Sequence, residues 1–340
     1  MKRQGTFPFA AIIGQEDMKK ALVLNVVNPR LGGVLIQGEK GTAKSTAVRA
    51  LADLLPPRQC IAGCRFHDDP ADKSNWCDEC HEKYDNAEPP VEELPMKVVE
   101  LPVSATEDRV VGTLDIEAAI KEGKRSFETG ILADANRNIL YVDEINLLDD
   151  HVVDVLLDSA AMGINTVERE GISYSHPARF SLVGTMNPEE GDIRPQLLDR
   201  FALSVYVAGE KDLDRRAEVI KRRLAYEDDP EAFIAQWQEE QKNEVRRIER
   251  AMKLLPQVTA SNEILRTAAQ ISIALEVDGH RADIVLIKTA ETLAAVDGHT
   301  EVTKDDLKTA AKLALPHRMR RRPFEEQKLD WEKVDKVIDA

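Results

Sequence analysis

Aromatic side chains are scarce in this 340-residue chain, only 5% of it. Cysteine is scarcer: there are four, all between residues 60 and 80. No apolar run approaches the roughly 18 residues that mark a membrane-spanning helix. The apolar stretch after Met1-Lys2-Arg3-Gln4-Gly5-Thr6 is too short for a signal peptide. An excess of basic charge is missing as well, since 46 Lys and Arg against 61 Asp and Glu leave a net charge of −15. That balance disfavours nonspecific binding to nucleic acid or to anionic membranes. Internal repeats and low-complexity segments are not evident. Together these absences predict a cytoplasmic, highly charged globular protein, long enough for two domains.

What the chain does have is a phosphate-binding pattern. An apolar run, Val34-Leu35-Ile36, leads into Gly38-Glu39-Lys40-Gly41-Thr42-Ala43-Lys44-Ser45-Thr46 and then a helix-favouring segment. Strand, glycine-bearing loop, lysine, hydroxyl and helix is the layout of a P-loop. Backbone N–H groups of such a loop cradle phosphates at a helix N-terminus. Lys44 is expected to reach the β- and γ-phosphates of a nucleotide, and Ser45 to hold Mg²⁺. Ala43 departs from the pattern, standing where it has its second glycine.

A second apolar run, Ile139-Leu140-Tyr141-Val142, ends in Asp143-Glu144. A short, bulky run suits a strand buried on both faces. Asp143 at its end can bind the Mg²⁺ shell, and Glu144 can polarise a water for in-line attack on a γ-phosphate. A third run, 180–186, ends at Asn187, whose amide can orient that water. Arg200 follows in Leu197-Leu198-Asp199-Arg200-Phe201, and much later Arg281 opens an apolar helical segment. P-loop, acid pair, asparagine, arginine and a distant helical arginine, in that order, resemble the AAA+ ATPases.

Longer stretches narrow the resemblance. Phe9-Ala10-Ala11-Ile12-Ile13-Gly14-Gln15, the segments 104–115, 144–151 and 187–191, Leu197-Leu198-Asp199-Arg200-Phe201 and His317-Arg318-Met319-Arg320-Arg321 are similar to the ATPase (I) subunit of magnesium chelatase. The similarity covers nearly the whole chain apart from residues 58–95. It implies an α/β AAA+ P-loop core with a five-stranded parallel sheet, followed by a C-terminal helical lid. It implies ATP and Mg²⁺ as ligands, with Ile13 and its neighbours around the adenine. Arg200 matches the finger offered to the neighbouring subunit's ATP, and Arg281 the sensor arginine that contacts the γ-phosphate in cis. The implied assembly is a hexameric ring working with a D-type AAA+ subunit and a large porphyrin-binding H-type subunit, driving Mg²⁺ insertion into protoporphyrin. Nothing in this chain supplies a porphyrin pocket. A MoxR-like AAA+ chaperone for metalloenzyme maturation is the alternative, favoured by Ala43 in the P-loop. A nucleotide-gated scaffold is countered by the intact acid pair, and a DNA-remodelling motor by the acidic balance.

Apolar periodicity predicts strands at 34–37, 98–101, 140–143, 182–185 and 203–207. Helices are expected at 44–54, 115–121, 129–135 and 150–160. Alternating strands and helices over 1–208 argue for a parallel sheet covered on both faces. Residues 209–340 read as helical, with periodic stretches at 212–224, 230–254, 262–277, 281–296 and 303–315. The last opens on Thr303 followed by acids, an N-cap signature. Two excursions, 110–128 and the alternating 163–174, resemble hairpins that chelatase-type rings point at partners. Arg109, Lys121, Lys124 and Arg125 give the first a basic face.

The cysteines stand in the pattern Cys60-x₃-Cys64-x₁₂-Cys77-x₂-Cys80. Two close pairs look like a zinc-binding knuckle. An iron–sulfur cluster is the competing reading, since four thiolates serve it equally, and His67 and His81 lie near enough to replace a ligand. Disulfides are disfavoured in a reducing compartment. The segment is polar and cannot build a core alone, so a metal would staple it.

Overall fold

The computed structural model describes residues 5–115, 126–169, 172–277, 279–319 and 331–338. The body of the predicted 115–121 helix, Lys121, Lys124, Arg125, Arg320 and Arg321 lie outside the described residues.

The strands are β1 (Val34–Gly38), β2 (Arg58–Ile61), β3 (Val91–Leu94), β4 (Val98–Leu101), β5 (Gly112–Asp115), β6 (Ser126–Thr129), β7 (Ile139–Val142), β8 (Ile164–Arg169), β9 (Ile172–Pro177), β10 (Ser181–Met186) and β11 (Leu203–Val207). Five form one parallel sheet in the order β11-β1-β10-β7-β4. These are the five strands expected from the sequence, displaced by at most a residue at their ends. Helical crossovers cover both faces, so the central strands β1, β10 and β7 are buried along their length rather than alternately.

The two faces feed two cores. Val34, Ile36, Ile139, Tyr141, Val183, Leu203 and Val205 point to one side. There they meet the helices Glu16–Val27 and Lys44–Ala52 and, in the same continuous cluster, Ile248, Leu286, Leu293 and Leu307 of the helical region. Leu35, Leu140, Val142 and Leu182 point the other way, onto the helix Asp150–Met162, Phe66 and Trp76 of the insertion, and Tyr174 of β9. The period-2 geometry of a strand thus divides each run between the cores. The helical region shares the first core and packs behind the sheet, touching β11 and the helix Glu16–Val27.

The helical region is Leu213–Asp228, Pro230–Gln236, Gln238–Leu254, Asn262–Ala274, Arg281–Asp297, Lys304–Ala314 and Trp331–Ile338. The stretch expected as one helix over 230–254 is broken at Trp237 (φ −98°, ψ 8°). Thr303 caps its helix as expected, in a full capping box with Asp306, an arrangement that typically stabilises a helix by about 1 kcal/mol. Both excursions are antiparallel pairs, β5 with β6 and β8 with β9. Residues 58–95 are a compact insertion: β2 pairs antiparallel with β3 around the short helix Asp78–Tyr84.

Candidate functional site: a nucleotide cleft at the strand ends

The sheet order gathers the site. β1 carries the P-loop, β10 lies beside it, and β7 lies next to β10. Their carboxyl ends therefore bring the P-loop, Met186-Asn187 and Asp143-Glu144 to one crevice, where open α/β sheets bind ligands. A cleft of about 620 Å³ occupies that position, within the usual size of a small-molecule site. Lys40, Gly41, Thr42, Ala43, Lys44, Ser45 and Thr46 line it with Asp143, Glu144 and Asn187.

The loop leaves β1 at Gly38, whose φ is +138°. A Cβ there would lie 1.9 Å from the Val207 carbonyl oxygen of the neighbouring strand, so only glycine fits. Glu39 stands at the loop's entrance, its carbonyl accepting from the Thr42 hydroxyl at 2.9 Å. Ala43 is in the left-handed region (φ 62°, ψ 22°) and N-caps the helix Lys44–Ala52. The Lys44 ammonium donates to the Gly38 carbonyl at 2.6 Å and to that of Glu39 at 3.2 Å. Burial pushes its pKa down, and Asp143, Glu144 and Glu190 oppose that shift.

The acids are held by a hydroxyl relay. Thr185 of β10 donates to Asp143 Oδ1 at 2.5 Å, and its oxygen accepts the Glu144 backbone N–H at 3.2 Å. Tyr141 donates to the same Asp143 oxygen at 2.9 Å; burial raises its phenol's pKa and keeps it a donor. The Asp143 carboxylate remains exposed to the cleft. Glu144 turns into the site through a left-handed backbone (φ 52°, ψ 51°), a conformation that non-glycine residues keep only where the surroundings hold it. Lys40 bridges Glu190 at 2.5 Å and Glu144 at 3.7 Å. Its pKa is raised, chiefly by the Glu190 hydrogen bond. Asn187 is buried, and its Oδ1 accepts the Glu189 N–H. Tyr141, Thr185, Glu190 and the helical arginines below carry no motif of their own, and sequence reasoning gave them no role.

At the other end the cleft is apolar: Phe7, Ile12, Ile13 and Val219 line it beside Arg222 and Arg223. Arg222 donates to the Ala11 carbonyl at 3.0 Å and lies over the Trp237 ring at 4.5 Å. These are the helical arginines at this chain's own cleft. Arg281, expected there in cis, is not among the lining residues. It pairs with Asp199 at 3.9 Å, beside Arg200. The reason is the docking of the helical region behind the sheet, which carries the start of Arg281–Asp297 to the Asp199 corner. Arg200 also stands away from the cleft, paired with Asp154 and, at 2.9 Å, with Asp158.

The cysteines divide. The donor atoms of Cys64, Cys77 and Cys80 cluster with a carboxylate oxygen of Asp68. Cys60 is not in that group; its sulfur lies 3.7 Å from Nη1 of Arg137 and near the Arg58 carbonyl. Of the four thiols expected together, three therefore group with a carboxylate, and Cys60 stands apart. β2 directs Cys60 into the buried space occupied by Arg58 and Arg137, where a cation is disfavoured.

Comparison with known proteins agrees with this architecture. The profile of the AAA domain (dynein-related subfamily) matches residues 91–201, and that of the AAA lid domain matches residues 265–337. The magnesium-chelatase subunit ChlI homolog of Methanocaldococcus jannaschii is 57% identical over 339 residues, covering 100% of this chain and 92% of that protein. The magnesium-chelatase subunit ChlI of a Nostoc species is 50% identical over 99% of this chain and 90% of its own length. Among solved structures, a chain from the BchI–BchD complex of magnesium chelatase is 48% identical, with a TM-score of 0.56, over 98% of this chain and 99% of that one. With 48–57% of its residues shared with these relatives along nearly its full length, and the P-loop and acid pair converging at the strand ends, this chain belongs to the I-subunit family of magnesium chelatases within the AAA+ ATPases.

Proposed function

We propose that this chain is the ATP-hydrolysing motor of a magnesium-chelatase-type complex. In this reading its turnover drives insertion of Mg²⁺ into protoporphyrin on a partner subunit. The observation that carries it is the convergence of Lys44, Ser45, Asp143, Glu144 and Asn187 in one cleft whose far end is apolar. Residues 1–208 form the nucleotide-binding domain and 209–340 the helical domain. Ile12, Ile13 and Val219 receive the adenine. The P-loop N–H groups and Lys44 hold the phosphates, exchanging the Gly38 and Glu39 carbonyls for phosphate oxygens.

Ser45 and the exposed Asp143 carboxylate fit a divalent cation, since Asp143 is already oriented by two hydroxyls through one oxygen. Bound there, Mg²⁺ would neutralise charge on the β- and γ-phosphates. Glu144 accepts the proton of the attacking water and Asn187 orients it. Arg200 serves the site of the next subunit, with Arg281 from the same corner rather than from the nucleotide's own chain. A ring, with six the expected number, and D-type and H-type partners follow from this reading; the full-length relatives favour it over a chaperone role. The insertion is its metal-binding segment, with zinc ahead of an iron–sulfur cluster.

Glu144→Gln tests the core of the proposal. It keeps the size of the side chain and removes the base, so ATP binding should persist while turnover falls by about 10²-fold or more. Nucleotide binding by fluorescence titration and phosphate release measure the two. Unchanged phosphate release would refute the assignment.

A further inference from the structure

The insertion holds a donor set that differs from the one its cysteine spacing suggests. The sulfurs of Cys64, Cys77 and Cys80 and one Asp68 oxygen all lie within 4.8 Å of one another. The Cys64 and Cys77 sulfurs are 3.9 Å apart. A tetrahedral ion with Zn–S bonds of about 2.3 Å requires sulfur–sulfur separations of about 3.8 Å. Thiolates bound to different irons of a cluster stand farther apart, so this spacing suits a single ion.

Asp68 supplies an independent observation. Its side chain is 1% exposed; Oδ2 accepts the Cys77 N–H at 2.7 Å, and Oδ1 is buried without a hydrogen-bond partner. An orphaned carboxylate oxygen among three sulfurs is costly unless something positive satisfies it. The Phe66 backbone N–H points at the Cys64 sulfur, 3.4 Å away, as a thiolate ligand requires. Cys60, in contrast, sits beside Arg137, whose charge opposes a second cation.

We propose that Cys64, Cys77, Cys80 and Asp68 form a structural zinc site that pins the insertion to the two hairpins. Phe66, between the first two ligands, stacks on His176 of β9 at 4.6 Å and lies 6.5 Å from Phe127 of β6. Arg65 donates to the Phe127 carbonyl at 2.9 Å. Filling the site therefore fixes the seat of both hairpins. This inference rests on reading the insertion as metal-binding and is independent of the nucleotide site.

The test uses the full chain purified from zinc-supplemented cells, with elemental analysis and cobalt(II) substitution. About one zinc per chain is expected. The cobalt form should show the thiolate charge-transfer intensity of three Co–S bonds, a readout that needs no variant. Cys60→Ala should keep the zinc, Cys77→Ser should lose it, and Asp68→Asn should weaken it at least about tenfold. Chelation should raise amide exchange in Ser126–Thr129 and Ile172–Pro177. Zinc lost in Cys60→Ala but unaffected in Asp68→Asn, or a four-thiolate cobalt spectrum, would overturn the ligand set while leaving a metal in the insertion. Iron with labile sulfide, or no metal in any preparation, would overturn the zinc site itself. Unchanged hairpin exchange on chelation would overturn the pinning.

Discussion

Ala43 carries a conformation that glycine normally supplies. Its φ of 62° places an L-residue in the left-handed region, at a typical cost of about 1–2 kcal/mol. Replacing it by glycine removes that strain but gives the unfolded chain more freedom, worth about 0.4–1 kcal/mol in the opposite direction. Ala43→Gly should therefore raise stability by up to about 1.6 kcal/mol, read from the urea midpoint, and retain ATPase activity; a clear loss of stability would mean that the methyl group packs favourably in the loop. Residues of this kind mark what local sequence can reveal. Lys44 and Ser45 were readable from the spacing of the P-loop motif, and Asp143, Glu144 and Asn187 because they stand at the ends of apolar strands. Thr185 was not: it meets Asp143 across 42 residues, through strand pairing alone. Asp68 was hidden for the same reason, since spacing singles out thiols but a carboxylate joins them only once the loop folds back.

At the scale of elements, the buried strands announced themselves as apolar runs and the C-terminal helices as periodic ones, whereas the core helix Glu16–Val27 was not singled out. The insertion did not, because β2, β3 and the helix Asp78–Tyr84 lie in a polar stretch that buries few large side chains, Phe66 and Trp76 among them. Nor did the break at Trp237, since polar, helix-favouring residues run through it without a glycine or proline. The turn Pro316–Arg318 shows what periodicity also conceals. The Arg318 guanidinium donates to the carbonyls of Ala202 and Asp199, each at 2.9 Å, and His317 Nε2 donates to that of Phe201 at 2.9 Å. The turn that follows the helix Lys304–Ala314 is thereby latched to the loop bearing Arg200. Burial, with Arg318 adding to it, pulls the His317 pKa down from 6.5 to about 3. The folded latch thus excludes a proton that the unfolded chain binds below pH 6.5. Stability contributed by the neutral imidazole is full above that pH and is lost as pH falls toward 3. Between pH 7 and pH 5 the loss should be about 2 kcal/mol. His317→Gln, which keeps a donor for Phe201, should show a shallower decline in chemical denaturation across the same interval. Parallel declines in the two proteins would remove His317 as the cause.

At the scale of the molecule, the cleft and the two arginines assigned to its chemistry do not meet within one chain. Lys44, Asp143 and Glu144 face the cleft, whereas Arg200 and Arg281 share the Asp199 corner. The helical region docks behind the sheet and, among the described residues, brings Val219, Arg222 and Arg223 to the cleft. That docking is a tertiary choice that no local pattern encodes; the cis role expected of Arg281 came from the family resemblance alone. The helix Leu213–Asp228 next to the cleft also exposes Leu213, Ile220 and Leu224. A head-to-tail contact, in which the arginine corner of one copy covers the cleft of the next, would bury those side chains and complete the site, and repetition closes a ring. Mixing inactive variants tests this arrangement. Lys44→Ala and Arg200→Ala subunits, combined, should restore activity at about a quarter of the seams by random assortment. Arg281→Ala should also complement Lys44→Ala, because each intact cleft can then face an intact corner. Arg281→Ala and Arg200→Ala should fail to complement each other, because every corner lacks one arginine. Phosphate release from the three mixtures reads the result: rescue in the last pair would separate the two arginines onto different subunits, and no rescue in the first would confine the whole site to one chain.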